Sequence, residues 1–316
     1  MVKFRASLAR RCSGRLPSSH DTFSTFLQIS SENLDHFRTH GYCVVENFLK
    51  PAEIAAAYQQ MLAYFPSAEE LSATPQRYGG ILEDPEHLQV EFPFDDGILN
   101  DISAHPQLIA TVAKLLGTSD ILLSQSAIWA KYAGTGDFEQ GMHLDYQGNS
   151  LVVPREDGAF GQINMILYYS DVTAELGPTC VVSKKDSDDR PMWPTFRTRK
   201  KDAELYRMEK QIIAPAGSLL LFTMSTWHRA SAMVADFGVR FSHHMVWRAA
   251  KYGFQGYHQW SHFGEKPQMQ QFIERTSPRQ REVLGFPPPG HEYWNEQTLA
   301  AVAMRYPKMD MSPYRP

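Results

Sequence analysis

From Ile121 onward the chain is a succession of short apolar runs: ILLSQSAIWAKY (121–132), GQINMILYYSDV (161–172), TCVVS (179–183), KQIIAP (210–215), SLLLF (218–222) and GVRFSHHMVW (238–247). Turn residues such as AGTGD, ELGP and PAGS separate them. Runs of this length and composition read as β-strands, and several in close succession must bury their apolar faces by stacking as a sandwich or closing as a barrel. The chain is therefore expected to be mainly β over about 121–250. One stretch breaks the rhythm. DSDDRPMWPTFRTRKKDAELYRMEK (186–210) is polar, carries two prolines, and is longer than loops without a role usually are.

Helices are expected on the flanks. Residues 30–49, SSENLDHFRTHGYCVVENFL, read as a capped helix stopped at Gly41 and followed by a strand from Tyr42 to Val45. KPAEIAAAYQQMLAYF (50–65) has apolar residues at helical spacing with Pro51 in its first turn, and HPQLIATVAKLLG (105–117) is a second amphipathic helix ended by Gly117. Beyond about Lys251 the sequence reads as irregular and aromatic-rich, with a helix around 294–305. No internal repeat or low-complexity linker divides the chain. The expected organisation is one domain over 21–316: a helical part (30–117), a β core (121–250) and a C-terminal extension (251–316).

Composition removes some classes of function. The 316 residues carry a net charge of −4, so no global basic field points to nucleic acid. No apolar run approaches the ~20 residues of a membrane span. Cys12, Cys43 and Cys180 are too scattered for a zinc site or a disulfide framework, which favours a reducing, cytoplasmic setting. Lys3, Arg5, Arg10, Arg11 and Arg15 meet no acid before Asp21. That reads as a disordered basic tail over 1–20, with a mitochondrial transit segment as the alternative. The sequence does not fix an oligomeric state.

GMHLDYQGN (141–149) places His143 and Asp145 two residues apart. With 12 histidines and 17 aspartates in 316 residues, about 0.6 His-x-Asp pairs arise in a shuffled chain, so the pair alone is more readily a surface accident. On a strand, residues i and i+2 share a face and can grip one ion. A redox-active Fe(II) site of the two-histidine, one-carboxylate type also needs a third ligand from a distant segment. His228 in GSLLLFTMSTWHRA supplies it, 85 residues after His143. Arg240 follows 12 residues later, and a guanidinium in a buried strand calls for an anion, for which its planar fork suits a carboxylate. Ser242 shares the strand face of Arg240.

This order and spacing resemble the phytanoyl-CoA dioxygenase family of Fe(II)/2-oxoglutarate oxygenases. FRTHGYCVVENFLKPAEIAA is similar to that family's opening helix and strand, AIWAKYAGTGDFEQGMHLDYQ to its approach to the metal motif, LYYSDVTAELGPTCVVS to its next strands, and PAGSLLLFTMSTWHRA to the strand of its distal histidine. The likeness runs from about 33 to 250. It implies a double-stranded β-helix, the jelly-roll or cupin-like core, with flanking helices. It implies that His143, Asp145 and His228 hold Fe(II) and that Arg240 anchors the distal carboxylate of 2-oxoglutarate, with Ser242 and Lys131 as further contacts. The implied reaction uses O2 and 2-oxoglutarate to oxidise a small organic molecule, most simply by hydroxylation, releasing succinate and CO2. Asp145 argues against halogenation, because related halogenases replace that carboxylate. One departure stands out: many relatives continue into a Pro-Gly-Ser-His turn where this chain has Lys184, Lys185 and Asp186, which puts the neighbouring turn in doubt.

Other residues read more plainly. His243 and His244 point to opposite faces of a strand, so at most one can share the face of Arg240, and both read as structural or supporting. Trp129 and Trp227 read as core. Arg197, Arg199, Lys200 and Lys201 read as a solvated cluster or else as a contact for an anionic substrate, and the segment 186–210 is expected to cover the site mouth and to order on substrate binding. Ser218 and Ser225 lack the G-x-S-x-G elbow of a serine hydrolase. Two rivals remain at this level: a jelly-roll binding protein without turnover, and a Zn2+- or Mn2+-dependent hydrolase or isomerase on the same triad.

Overall fold

The computed structural model describes residues 29–78, 88–95, 97–134, 139–155, 157–256, 260–264 and 266–315. The basic segment 1–20 and part of the AGTGD turn lie outside these residues. The strands are β1 (Tyr42–Val45), β2 (Gln89–Glu91), β3 (Ile121–Tyr132), β4 (Met142–His143), β5 (Ile163–Tyr168), β6 (Thr179–Val181), β7 (Phe196–Arg197), β8 (Lys210–Gln211), β9 (Leu219–Thr223), β10 (His228–Ala230) and β11 (Val239–Ala249). They form two antiparallel sheets, one ordered β1-β9-β5-β11-β3-β2 and the other β7-β4-β10-β6-β8. This is the jelly-roll arrangement, a sandwich of two sheets with no closed barrel.

Strand parity decides which side chains meet. On β11, Phe241, Met245 and Trp247 are 0–1% exposed and join a core shared with Leu99 and Leu108 of the helices Ile98–Ser103 and Pro106–Leu116. The intervening residues Arg240, Ser242, His244 and Val246 point the other way, towards the small sheet. There Val246 packs with Met142, Leu144 and Trp227. β3 runs alongside in register, with Arg240 opposite Lys131 and Ser242 opposite Trp129.

The first helix, Ser31–His40, is capped by the Ser30 hydroxyl, which accepts from Asn33 N, and it ends at Gly41 with φ 75°. That left-handed conformation favours glycine. The carbonyl of Gly41 accepts from the Thr226 hydroxyl at 2.7 Å and from Thr223 N at 2.9 Å. The helix end thereby braces the turn that leads into His228.

Residues 186–210, expected to cover the site mouth, contribute to the small sheet: β7 pairs with β4, Phe196 opposite His143, and the helix Ala203–Arg207 buries Leu205 and Tyr206. Polar, proline-bearing sequence hid a strand too short to show alternation. The segment after Lys251 is also more regular than expected, with helices Pro267–Arg275 and Pro278–Glu282 ahead of Glu296–Arg305. Met269, Phe272 and Ile273 of the first of these helices join the main core. Among the described residues no helix is long and apolar enough to cross a membrane.

Candidate metal centre

His143 and His228 are direct cross-strand partners on β4 and β10, with ring centroids 4.3 Å apart. Asp145 completes the group, but not as the second residue of a strand face. β4 stops at His143, and Asp145 has helical backbone angles, φ −79° and ψ −12°, opening the turn Tyr146–Asn149. The chain bends there because Leu144 goes into the small core, turning the carboxylate back towards the imidazoles.

One donor atom from each of the three residues lies within 4.8 Å of the others. His143 Nε2 is 3.3 Å from Asp145 Oδ1, and His228 Nε2 is 3.2 Å from Asp145 Oδ2. Both imidazoles thus face one carboxylate, each through a different oxygen, and the three side chains converge on one point as ligands of a shared ion must. The tautomers suit it too. His143 Nδ1 donates to Gly141 O at 2.9 Å and His228 Nδ1 to Thr226 O at 3.0 Å, leaving a lone pair on each Nε2 facing the centre. A side chain at Gly141 would meet the tip of the exposed Phe196 ring, which would have to shift. Burial alone would push the Asp145 carboxyl up, but His228 and His143 outweigh it and hold it well below the usual carboxylate range. Burial likewise pulls His143 down, and the bond to Asp145 more than reverses this.

The face of β11 supplies the second half of the site. Arg240 is 7% exposed. Its Nη1 donates to Gly177 O, while its Nε meets no protein partner among the described residues. Burial pushes the guanidinium down, and no carboxylate offsets it. Lys131, opposite on β3, donates to Ser231 O and is pushed down to about 8, first by burial and then by Arg240. Ser242 Oγ lies 3.1 Å from His244 Nε2. His244 therefore shares the Arg240 face, and burial followed by the Arg240 charge lowers it to about 3. His243 faces the helices, between the Ser126 hydroxyl at 2.7 Å and the Tyr169 hydroxyl at 2.8 Å. Trp227 is core, as expected; Trp129, instead, tilts against His244 with ring centroids 5.5 Å apart.

Sequence reasoning missed Asn164, whose Nδ2 donates to Asp145 Oδ2 at 2.6 Å. Its signal was parity: Asn164 is a polar residue on the inward face of an otherwise apolar strand. The Arg229 clamp was also missed. Arg229 adjoins His228, is 4% exposed, and is held by both oxygens of Glu209 at 2.6 Å and by Glu139 at 2.6 Å.

The fold recurs in solved enzymes. The non-haem α-ketoglutarate-dependent carbocyclase SnoK from nogalamycin biosynthesis superposes with a TM-score of 0.52 at 18% identity, covering 76% of this chain and 92% of its own. HygX from Streptomyces hygroscopicus, with nickel, 2-oxoglutarate and hygromycin B bound, gives 0.51 at 14%, covering 71% and 89%. EctD from S. alaskensis, with 2-oxoglutarate and 5-hydroxyectoine, gives 0.50 at 19%, covering 72% and 79%. No curated protein matches the chain by sequence. The profile described as phytanoyl-CoA dioxygenase (PhyH) matches residues 37–240, about two thirds of the chain. The chain belongs to the phytanoyl-CoA dioxygenase family, a family of non-haem iron, 2-oxoglutarate-dependent enzymes.

Proposed function

We propose that this protein hydroxylates a C–H bond of a small organic molecule, converting R–H, O2 and 2-oxoglutarate into R–OH, succinate and CO2. His143, Asp145 and His228 hold Fe(II) from one side, and Arg240 receives the distal carboxylate of 2-oxoglutarate, helped by Ser242 and, across the strand pair, by Lys131. Bound iron supplies the dioxygen activation that amino-acid side chains lack. The protein's own contribution is orientation. The carbonyls of Gly141 and Thr226 fix the two imidazoles, and Asn164 fixes the carboxylate.

One observation carries this reading: a buried guanidinium with, among the described residues, no partner for its Nε and no carboxylate, on the strand face that looks towards a His-Asp-His cluster. A hydrolase or isomerase using the same triad has no need of that unpaired cation, whereas a keto-acid co-substrate brings the anion it lacks. Succinate formation from 2-oxoglutarate with Fe(II), followed by NMR, tests it. The wild-type chain is expected to produce succinate slowly even without substrate. His143→Ala, Asp145→Ala and His228→Ala are each expected to produce none while keeping a native circular dichroism spectrum. Absence of succinate in the iron-loaded wild type, or near-normal turnover in two of the three variants, would overturn the proposal.

A further inference from the structure

The face of β11 that looks towards the small sheet carries Arg240, Ser242, His244 and Val246 in that order, and the metal centre stands towards its Val246 end. Asn164, whose amide holds Asp145, is the register partner of Val246 on β5, and Ile166 is the partner of His244. His244 is thus a diagonal neighbour of Asn164, about 7–8 Å away across the strand pair. Burial lowers the His244 pKa most; after it Arg240 lowers it, Asp145 raises it and His228 lowers it, so the charges at both ends of this face reach the one imidazole. A molecule that spans from the metal centre to Arg240 passes over His244.

His244 is equipped to meet such a molecule. Its neighbours Ser242 and His243 are sealed, at 1% and 0% exposed, whereas His244 is partly exposed in mid-strand. β3 and β5 flank it on either side, so the exposure opens into the space between the sheets. Its partner on β3 is Ala127, too short to cover it, and the Trp129 ring leans in beside it with centroids 5.5 Å apart. Ser242 Oγ lies 3.1 Å from His244 Nε2 and has no other partner among the described residues. A sealed hydroxyl hydrogen needs an acceptor, so Ser242 donates to Nε2 and the neutral imidazole carries its own hydrogen on Nδ1. Nδ1 has no protein partner among the described residues, yet it is not one of the buried polar atoms left without one. It is the nitrogen that faces the open space, and it faces it as an N–H donor.

We propose that His244 is a contact residue for the co-substrate: its Nδ1–H donates to an oxygen at the keto-acid end of 2-oxoglutarate, and Ser242 acts through His244 by holding the ring in that tautomer. A neutral donor suits the position. A second cation here would repel Arg240, whereas an N–H meets a carboxylate or keto oxygen without adding charge. The proposal rests on the oxygenase reading, which supplies the co-substrate.

Long-range proton–nitrogen NMR spectra of the full chain, with isotope-labelled histidine and Zn(II), read the tautomer directly, the His244 signals being identified by their loss in His244→Asn. His244 is expected to carry its hydrogen on Nδ1, and that proton is expected to move downfield when 2-oxoglutarate is added, as a bond to a charged acceptor requires. Ser242→Ala should mix the two tautomers. Calorimetry on the Mn(II)-loaded protein separates contact from packing. His244→Phe should weaken 2-oxoglutarate at least about tenfold, while His244→Asn, which keeps an N–H near the place of Nδ1, should stay within about threefold of wild type. Should His244→Phe fail to fold, the wild-type spectra decide. An Nε2–H tautomer, or equal losses in the Phe and Asn variants, would overturn the assignment of His244. Failure of the Mn(II)-loaded wild type to bind 2-oxoglutarate would sink the oxygenase reading and this contact with it. Binding that leaves the Nδ1 proton unmoved would sink the contact alone.

Discussion

Asn164 donates its side-chain amide to Asp145 Oδ2 at 2.6 Å, joining the middle of the large sheet to the carboxylate at the edge of the small one. This is the direct polar tie between β5 and the metal ligands, and it orients the one ligand that has left its strand. Asn164→Ala should therefore weaken Mn(II) binding by about 10–100-fold, the usual cost of losing a group that orients a metal ligand. The thermal midpoint should fall only modestly. Calorimetric titration decides it, and unchanged affinity would show that the turn Tyr146–Asn149 alone fixes Asp145.

Arg240 leads to a prediction in which two readouts move apart. Arg240→Met should weaken 2-oxoglutarate binding by ~2–5 kcal/mol, at least about thirtyfold. The ligand-free protein should be no less stable, because an unpaired buried charge is removed while Gly177 O loses its donor. Ser242→Ala should cost 2-oxoglutarate binding only about 1 kcal/mol. Affinity measured by calorimetry, beside thermal melts without ligand, checks both. An unchanged affinity in Arg240→Met would make this residue a framework cation.

Metal affinity should rise with pH. In the metal-free protein His143 titrates above the ordinary histidine value of about 6.5, so a metal ion must displace a proton below that raised pKa. The apparent affinity for Mn(II) is expected to climb by about tenfold per pH unit through that range and then level off. Stability of the metal-free protein should run the other way. A raised histidine pKa contributes stability that is fully present below about 6.5 and is lost as pH rises through the folded-state value. Proton release on metal addition, measured in buffers of different ionisation enthalpy, checks the first part, and thermal melts across the same range check the second.

The Arg229 clamp should matter to the fold more than to catalysis. Glu209→Ala would leave a guanidinium that is 4% exposed with Glu139 as its remaining carboxylate, at a cost of about 3 kcal/mol. Urea unfolding measures it. A loss below about 1 kcal/mol would mean that Glu139 alone compensates the charge.

Cys43 should resist thiol reagents. It is 1% exposed, and burial pushes its thiol up to about 12. Mass spectrometry after iodoacetamide treatment of the native protein at pH 8 should find Cys43 unmodified, and labelling faster than global unfolding would contradict the packing of β1.

Much of this structure could be read from the sequence where a physical period runs long enough to register. The run Ile121–Tyr132 is strand throughout, and Gly41 and Gly117 end their helices as left-handed caps. The cluster of His143, Asp145 and His228 was legible through spacing and family likeness. The reason first given for the pairing of His143 with Asp145 was not, because β4 is two residues long and the carboxylate returns through a turn. Asn164 and the Arg229 clamp were hidden for a different reason. Each is an ordinary polar residue whose role depends on which sheet lies across from it, and strand pairing at long range leaves no local trace. The strand at 196–197 was invisible because two residues carry no alternation at all.

That short strand has a further consequence. β4, which carries His143, is flanked by β10 on one side and by Phe196–Arg197 on the other, and Leu144 N donates to Thr195 O just beyond the pair at 3.0 Å. The segment 186–210 is therefore also a splint for a metal ligand. Its exposed stretches can drift in sequence, but its length on either side of Phe196 is set by the reach back to β4. Grafting this segment from a relative, as is done to transplant surface properties between enzymes, would carry the placement of His143 along with it.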